Sequence, residues 1–158
     1  MAFAASLVFA LPEDTKQPIE IEANSVFIDE IKGLNEFRGD AEVRQGSLLL
    51  LAELIQVQTD NEDVVSMIAK GSLEKPAKYI QNQENQEGFI EGTAALITYD
   101  VNEGMIFLVG NAHLVQGFDS FSGDTLNYDI DNDKVFIKGS EDGTKDFSPK
   151  RVKFIIAL

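Results

Sequence analysis

The sequence has no cysteine, no tryptophan and a single histidine, His113. A lack of cysteine fits an oxidising compartment, where a stray thiol is a liability, but it equally fits many cytosolic proteins. One histidine removes most catalytic schemes, because a hydrolytic triad or a histidine-rich metal site depends on that residue. We therefore expect a protein that is not an enzyme and that carries neither a cofactor nor a metal.

Basic residues are also scarce. Lysine and arginine number 13 against 27 acidic residues, which gives a formal net charge of −14 at pH 7. Affinity for nucleic acid comes largely from lysine and arginine on phosphates, so this balance argues against a nucleic-acid partner. It favours a strongly solvated outer surface. The hydrophobic fraction of 44% is enough for a core, and 158 residues predict one domain.

The apolar run at residues 2–11 is too short to span a bilayer and has the length of a signal-peptide core. No basic residue precedes it. We expect residues 1–10 to be the remnant of a secretory signal, residues 11–17 a linker and residues 18–158 a single β domain. Either the start is misplaced or truncated, as the remnant of a signal implies, or the run is a buried strand, which is the alternative.

A repeat organises the rest of the chain. Gly39 and Gly110 each begin a Gly-x-Ala-x-(Val/Leu) pattern, and they are 110 − 39 = 71 positions apart. A finer pattern pairs a small residue with an apolar-x-apolar segment and then a glycine. Its small residues are Ala23, Ala52, Ala94 and Gly123, and its glycines are Gly39, Gly71, Gly110 and Gly139. Apolar-x-apolar spacing puts side chains on one face of a strand, so each unit predicts strand, turn, strand, glycine, strand.

Turn sequences separate short alternating segments along the whole domain, which predicts about fifteen short strands and no helix. That pattern is typical of an all-β sandwich, jelly roll or barrel. Leu48–Ile55 has helix propensity, but its register matches the other copies of the repeat, so we expect a strand there. The repeated glycines predict bulges or corners where a sheet bends.

Three polar features are weak candidates for a site. Asp129–Asp133 resembles the start of a calcium loop, but Lys134 and Ser140 replace its glycine and its bidentate glutamate, which favours a plain hairpin turn. His113 has no nucleophile pattern beside it and is expected to be a solvated strand residue. The carboxylates fall at turns and on polar strand faces, so a surface role explains them better than a glycosidase pair.

The apolar face of the predicted sheet is the remaining candidate. Alternation places these side chains on one side: Ile19, Ile21, Val43, Val57, Tyr79, Ile97, Tyr99, Val101, Leu114, Leu126 and Tyr128. They either fill a core or line a groove between splayed sheets, and the residues leave both alternatives open.

Several motifs in fixed order resemble the OstA-like (LptA-type) family of lipopolysaccharide transport proteins. They span about residues 14–157 and are Asp14-Thr-x-Gln-Pro-Ile-Glu-Ile-Glu22, residues 37–46, Lys75-Pro-Ala77, Glu91-Gly-x-Ala94 with Tyr99, Leu108–Gln116 and Gly123-Asp-x-Leu-x-Tyr128. No single motif is specific; their order and spacing together are. The absence of a membrane-spanning helix argues against LptC within this family, and the length argues against full-length LptD.

The resemblance implies a periplasmic protein with a twisted open β-jelly roll that carries lipopolysaccharide between the two membranes. It implies LptC and LptD as partners and lipid contacts at Thr15, Ile19, Tyr79, Tyr99 and Val101. The apolar face adds Ile21, Ile97 and Tyr128 to the expected lipid site. The alternative function is a structural β-sandwich interaction module with a filled core, or the related periplasmic domain of LptC or LptD.

An open sheet leaves unpaired strand edges, which suggests head-to-tail self-assembly. The expected edges are Ile19, Glu20 and Ile21 at one end and Phe154, Ile155 and Ile156 at the other.

Overall fold

The computed structural model describes residues 16–82, 88–139 and 151–156. No α-helix occurs among these residues, which confirms the all-β class. The strands, all paired antiparallel, are β1 (Glu20–Glu22), β2 (Ser25–Asp29), β3 (Leu34–Gln45), β4 (Leu48–Asp60), β5 (Asp63–Lys70), β6 (Ala77–Asn82), β7 (Phe89–Ala94), β8 (Leu96–Asp100), β9 (Met105–Gln116), β10 (Asp119–Asp129), β11 (Lys134–Lys138) and β12 (Lys153–Ile155). The expected signal remnant, residues 1–10, and most of the linker, residues 11–17, lie outside the described residues.

The expected number of about fifteen short strands is corrected to twelve among the described residues. The difference arises because β3, β4, β9 and β10 run on through the positions expected to interrupt them. Gly39 and Asp40 are accommodated as a break in register between Arg38 and Ala41, and a similar break lies between Gly123 and Thr125. A bulge bends a strand without ending it, so the sheet turns at these points and remains paired.

These four long strands fold the sheet into two layers, which we call the first and second layer. In the first layer the order is β2, the first half of β3, the second half of β4, β5, β8, the first half of β9, the second half of β10 and β11. In the second layer it is β1, the second half of β3, the first half of β4, β6, β7, the second half of β9, the first half of β10 and β12.

The line along which the sheet bends, here the corner side, carries the small residues of the repeat. Ala23, Gly39, Ala52, Gly71, Ala94, Gly110, Gly123 and Gly139 all lie where a strand ends or changes its pairing partner. Neighbouring segments join there through the backbone: the Gly71 and Ala95 amides donate to the carbonyls of Ala95 and Gly110, both at 2.9 Å. In each layer the hairpin turns lie at the end away from the corner side. We call that end the turn side.

The apolar faces of the two layers pack on each other and form one core. Alternation along β4 buries Leu48 and Leu50 in the second layer and Ile55 and Val57 in the first, so Leu48–Ile55 is strand, as its register predicts. Gly92 in the second layer lets the layers approach closely, because a Cβ there would lie 2.9 Å from Leu108 Cδ2 in the first layer.

Candidate functional site

The apolar face expected from the sequence lies between the two layers. Its fully buried members are Val43, Val57, Tyr79, Ile97, Leu114, Leu126 and Tyr128. They come from both layers, and their side chains fill the space between them. An apolar ligand would therefore occupy this space only if the layers moved apart.

The other expected lipid-site residues are less buried. Ile21 and Tyr99 are half-buried and pack against the core, Val101 is half-buried just after β8, and Ile19 is 36% exposed just before β1. Thr15 lies outside the described residues. Seven of the eight expected residues thus fall into two groups. The buried group is Tyr79, Ile97 and Tyr128, and the more accessible group, toward the turn side, is Ile19, Ile21, Tyr99 and Val101.

Both first-layer tyrosines lie near carboxylates on the turn side. Burial raises the pKa of Tyr99 above its ordinary value, and the negative charge of Asp131 adds to the rise. Burial also raises the pKa of Tyr128, helped by Asp133. Each tyrosine is therefore a neutral hydroxyl at physiological pH, with an apolar ring in the core.

A polar bridge connects the two layers on the turn side. The Tyr128 hydroxyl donates to Asp133 Oδ1 at 3.1 Å, and Gln116 Nε2 donates to the same oxygen at 3.1 Å. Gln116 is the last residue of β9, in the second layer, whereas Asp133 directly precedes β11, in the first layer. In the second layer, the Tyr79 hydroxyl also donates to the buried Gln81 Oε1. The turn side therefore combines apolar rings with hydrogen-bonding groups.

Sequence reasoning missed this bridge, although one signal was available. Gln45-Gly46 and Gln116-Gly117 occur at the same repeat position, 116 − 45 = 71 residues apart. Both glutamines end strands of the second layer at its turn side. No pattern in the sequence pointed to Asp133 as the group that Gln116 contacts.

Four short strands lie at the two ends of the sheet, and two of them, β1 and β12, include or adjoin the edge residues expected from the sequence. In the described part of the chain, β1 and β2 pair only with β3, and β11 and β12 pair only with β10. The expected edge residues Ile19, Glu20 and Ile21 are thus at one end, and Phe154, Ile155 and Ile156 are at the other. Phe154, Ile155 and Ile156 are about half exposed. The ring centroid of Phe154 lies 4.8 Å from that of Phe121 in the adjacent strand.

The weak polar candidates have structural roles. Asp129 accepts hydrogen bonds from the backbone and side-chain nitrogens of Asn132 at 3.1 and 2.9 Å, so the expected hairpin turn between β10 and β11 is confirmed. His113 Nδ1 lies 2.7 Å from Ser122 Oγ on the outer face, where the side chain is half-buried. In the described segments, no group of three or more His, Cys, Asp or Glu side chains could hold a metal. No helix in these segments is long and apolar enough to cross a membrane.

Comparisons with known proteins agree with this architecture. Residues 20–134 match the family model described as LptA/(LptD N-terminal domain) LPS transport protein. The chain is 28% identical over 156 residues to the lipopolysaccharide export system protein LptH of Pseudomonas aeruginosa, covering 98% of this chain and 87% of that protein. It is 31% identical over 133 residues to LptA of Escherichia coli K12, covering 84% of this chain and 71% of that protein.

A solved structure matches the fold over nearly the whole chain. It is the crystal structure of LptH from Pseudomonas aeruginosa, described as the LptA-homologous periplasmic component of the lipopolysaccharide transport device. The TM-score is 0.81 at 25% sequence identity, over 93% of this chain and all of the other.

Proposed function

The chain belongs to the LptA/LptD N-terminal domain family of lipopolysaccharide transport proteins, and we propose from this membership that it is a periplasmic carrier of lipopolysaccharide. The resemblance seen in its sequence motifs is thereby confirmed. In the proposed function, the acyl chains contact the apolar face between the two layers, and the sugar and phosphate groups remain on the turn side. The protein would form one segment of a bridge between the inner and outer membranes.

The observation that carries this proposal is a continuous apolar face with the half-buried Tyr99 at its accessible side. Tyr99 and Val101 lie at the turn-side end of β8, next to the buried residues that fill the interlayer space. A tyrosine suits a boundary where one end contacts hydrocarbon and the other reaches polar groups. Acyl chains would enter past Tyr99 and Val101 and replace contacts between the layers.

The net charge of −14 opposes the binding of an anionic glycolipid, but the apolar contribution is larger. Each buried CH₂ contributes about 0.8 kcal/mol, so about a dozen methylenes contribute about 10 kcal/mol. Interactions between exposed charges are worth about 0–1 kcal/mol each and are screened by salt. The carrier therefore needs no basic surface in order to hold an acyl chain.

A photo-crosslinking residue on β8 tests the proposal, because neighbouring positions on a strand face opposite ways. We expect a crosslinker at Tyr99, which faces the interlayer space, to capture lipopolysaccharide in cells. The same crosslinker at Thr98, on the outer face, should not. Lipid-linked protein is measured by immunoblotting against lipopolysaccharide. Absence of capture at position 99, or equal capture at both positions, would contradict the carrier function and favour a structural module.

The partners in the proposed function are lipopolysaccharide, LptC, LptD and further copies of the chain, joined head to tail through strand edges. The unpaired edges at the two ends of the described sheet support this arrangement. Deletion of residues 151–158 should lower the oligomer mass measured by light scattering while the monomer remains folded. An unchanged mass distribution would exclude this edge.

Export to the periplasm would remove the apolar segment at the start of the chain. We propose that residues 1–10 are absent from the mature protein and that residues 18–158 form the working domain. The intact mass of protein isolated from periplasm is the measurement. A mass that retains residues 1–10 would contradict cleavage at this position.

A further inference from the structure

The edge strands at the two ends of the sheet match each other in length, layer by layer. In the first layer, β2 and β11 each have five residues. In the second layer, β1 and β12 each have three. Among the described residues each layer contains eight antiparallel segments, so its first and last segments run in opposite directions. A second copy placed end to end in the same orientation would therefore continue both layers with antiparallel pairs.

The side chains on these edges also match when the strands are aligned end to end. In the first layer this alignment places Asp29 opposite Lys134, Phe27 opposite Phe136 and Ser25 opposite Lys138 of the next copy. In the second layer it opposes Glu22 to Lys153 and Ile21 to Phe154. Phe27 and Phe136 are 59% and 66% exposed, whereas Ile21 and Phe154 lie on the inward face. Outward residues therefore meet outward residues, and inward residues meet inward residues.

We propose that copies of this chain join in this register and that opposite charges on the two edges fix the direction of joining. The inference rests on the head-to-tail assembly of the proposed function. It adds the register of the joined strands and the charged residues that fix the direction of joining, which we call the polarity determinant. The determinant consists of Glu22 and Asp29 on one edge and Lys153 and Lys134 on the other. Opposite charges directly across an antiparallel pair stabilise it, and like charges destabilise it.

Like charges act against the wrong arrangements. An antiparallel pairing of β1 with β1 of another copy would place Glu20 opposite Glu22. An antiparallel pairing of β11 with β11 would place Lys134 opposite Lys138. The exposed apolar residues on both edges would tolerate any pairing, so discrimination depends on charge. Joining is therefore expected to weaken as salt is added.

Charge reversal in the full mature chain tests the polarity determinant. We expect Glu22→Lys alone and Lys153→Glu alone each to weaken self-association about fivefold, measured by sedimentation equilibrium at low salt. The double variant Glu22→Lys with Lys153→Glu should recover wild-type association, because the opposed pair is restored with its signs exchanged. Lys70→Glu is the control: it changes the net charge as Lys153→Glu does, but Lys70 is exposed at the end of a strand in the middle of the first layer. An effect of Lys70→Glu equal to that of Lys153→Glu, or no recovery in the double variant, would overturn the determinant.

Cysteine pairing tests the register directly, since the chain has no cysteine of its own. A mixture of Phe27→Cys and Phe136→Cys chains should form an interchain disulfide on mild oxidation, measured on non-reducing gels. A mixture of Phe27→Cys and Lys134→Cys chains, two residues out of register, should form much less. Equal yields would overturn the register. Lipid capture at Tyr99 is measured separately, so failure of this joint would leave the carrier function standing.

Discussion

The corner side and the turn side of the folded sheet are held together by different interactions. At the corner, β3, β4, β9 and β10 pass from one layer to the other as continuous backbone, and small residues allow close backbone contacts. On the turn side, the described contact between the layers is a side-chain bridge from Gln116 and Tyr128 to Asp133. The corner is covalent and tightly packed, whereas the turn side is joined by hydrogen bonds near solvent.

This difference indicates where the layers can separate. A hydrogen bond contributes only about 0.5–1.5 kcal/mol net, because water replaces the lost partner. Opening the corner would require rupture of backbone pairing in several strands. A ligand that inserts between the layers is therefore expected to enter from the turn side, with the corner acting as a fixed hinge.

The largest expected effect is a difference in the free energy of unfolding between substitutions at two inward positions on β8, one near the corner side and one near the turn side. Ile97, near the corner, is 0% exposed, and Tyr99 is half-buried toward the turn side. We expect Ile97→Asp to lower the free energy of unfolding by more than about 4 kcal/mol, because it buries an unpaired carboxylate. Tyr99→Asp should cost about 1–3 kcal/mol, since its charge can remain hydrated. Urea denaturation followed by circular dichroism measures both.

The outward residue Thr98, between them, is the control for this comparison. Thr98→Asp should change stability by less than about 0.5 kcal/mol. Lipopolysaccharide binding should fall in Tyr99→Asp but remain in Thr98→Asp. If Tyr99→Asp unfolds the protein as readily as Ile97→Asp, the turn side is as closed as the corner and the proposed entry route is wrong.

A second prediction tests the packing of the corner. Gly110 has a φ of +87°, and a Cβ there would lie 2.9 Å from Ala95 Cβ. Gly110→Ala should cost about 2–4 kcal/mol from left-handed backbone strain combined with this clash. Gly117 on the turn side has a φ of +59°, but a Cβ at this position would meet no atom within 4 Å. Gly117→Ala should therefore cost only about 1 kcal/mol. Equal melting shifts in the two variants would show that the corner is not tightly packed.

The corner could be predicted from the sequence, but the polar bridge on the turn side could not. The glycine repeat is local, and Gly39 and Gly110 bend their strands where the pattern expected a bulge or corner. Val43 and Leu114, 71 residues apart, are both buried in the second layer, as alternation requires. The contact of Gln116 with Asp133 depends on how two layers stack, which no local period encodes. For the described residues the strand number was overestimated, because a glycine that bends a strand and a glycine that ends it have the same sequence signal.

A third prediction concerns the polar bridge itself. Gln116→Ala should lower stability by about 1 kcal/mol and increase binding of an apolar fluorescent probe, because it removes a link between the layers. Gln56→Ala is the matched control: Gln56 Nε2 donates to Glu36 Oε2 at 2.9 Å, and both residues lie in the first layer. Probe binding should remain unchanged in Gln56→Ala. A similar increase in both variants would mean that general destabilisation, rather than separation of the layers, exposes the apolar face.

The smallest expected effect is a loss of stability that is absent at neutral pH and appears only at alkaline pH. Tyr99 and Tyr128 have folded-state pKa values above the ordinary 10.0, so the folded protein holds these protons more tightly than the unfolded chain does. Their contribution to stability is complete below pH 10 and is lost as pH rises toward the folded-state pKa. At pH 10.5 the loss should stay below about 1 kcal/mol for each tyrosine. Absorbance of the phenolate and urea denaturation at several pH values measure it.

The Asp133→Asn variant separates the two causes of the Tyr128 shift. Burial is the largest single cause, followed by the charge of Asp133, its hydrogen bond and the charge of Asp129, so the pKa of Tyr128 should stay above its ordinary value in this variant. Tyr128→Phe should remove the part of the alkaline loss of stability that comes from Tyr128. Stability at pH 7 should change only by the lost hydrogen bond to Asp133. If Asp133→Asn instead returns the Tyr128 phenol to ordinary titration, the ring is hydrated. The turn side would then admit water to the apolar face even without a ligand, and separation of the layers would need no bridge to be broken.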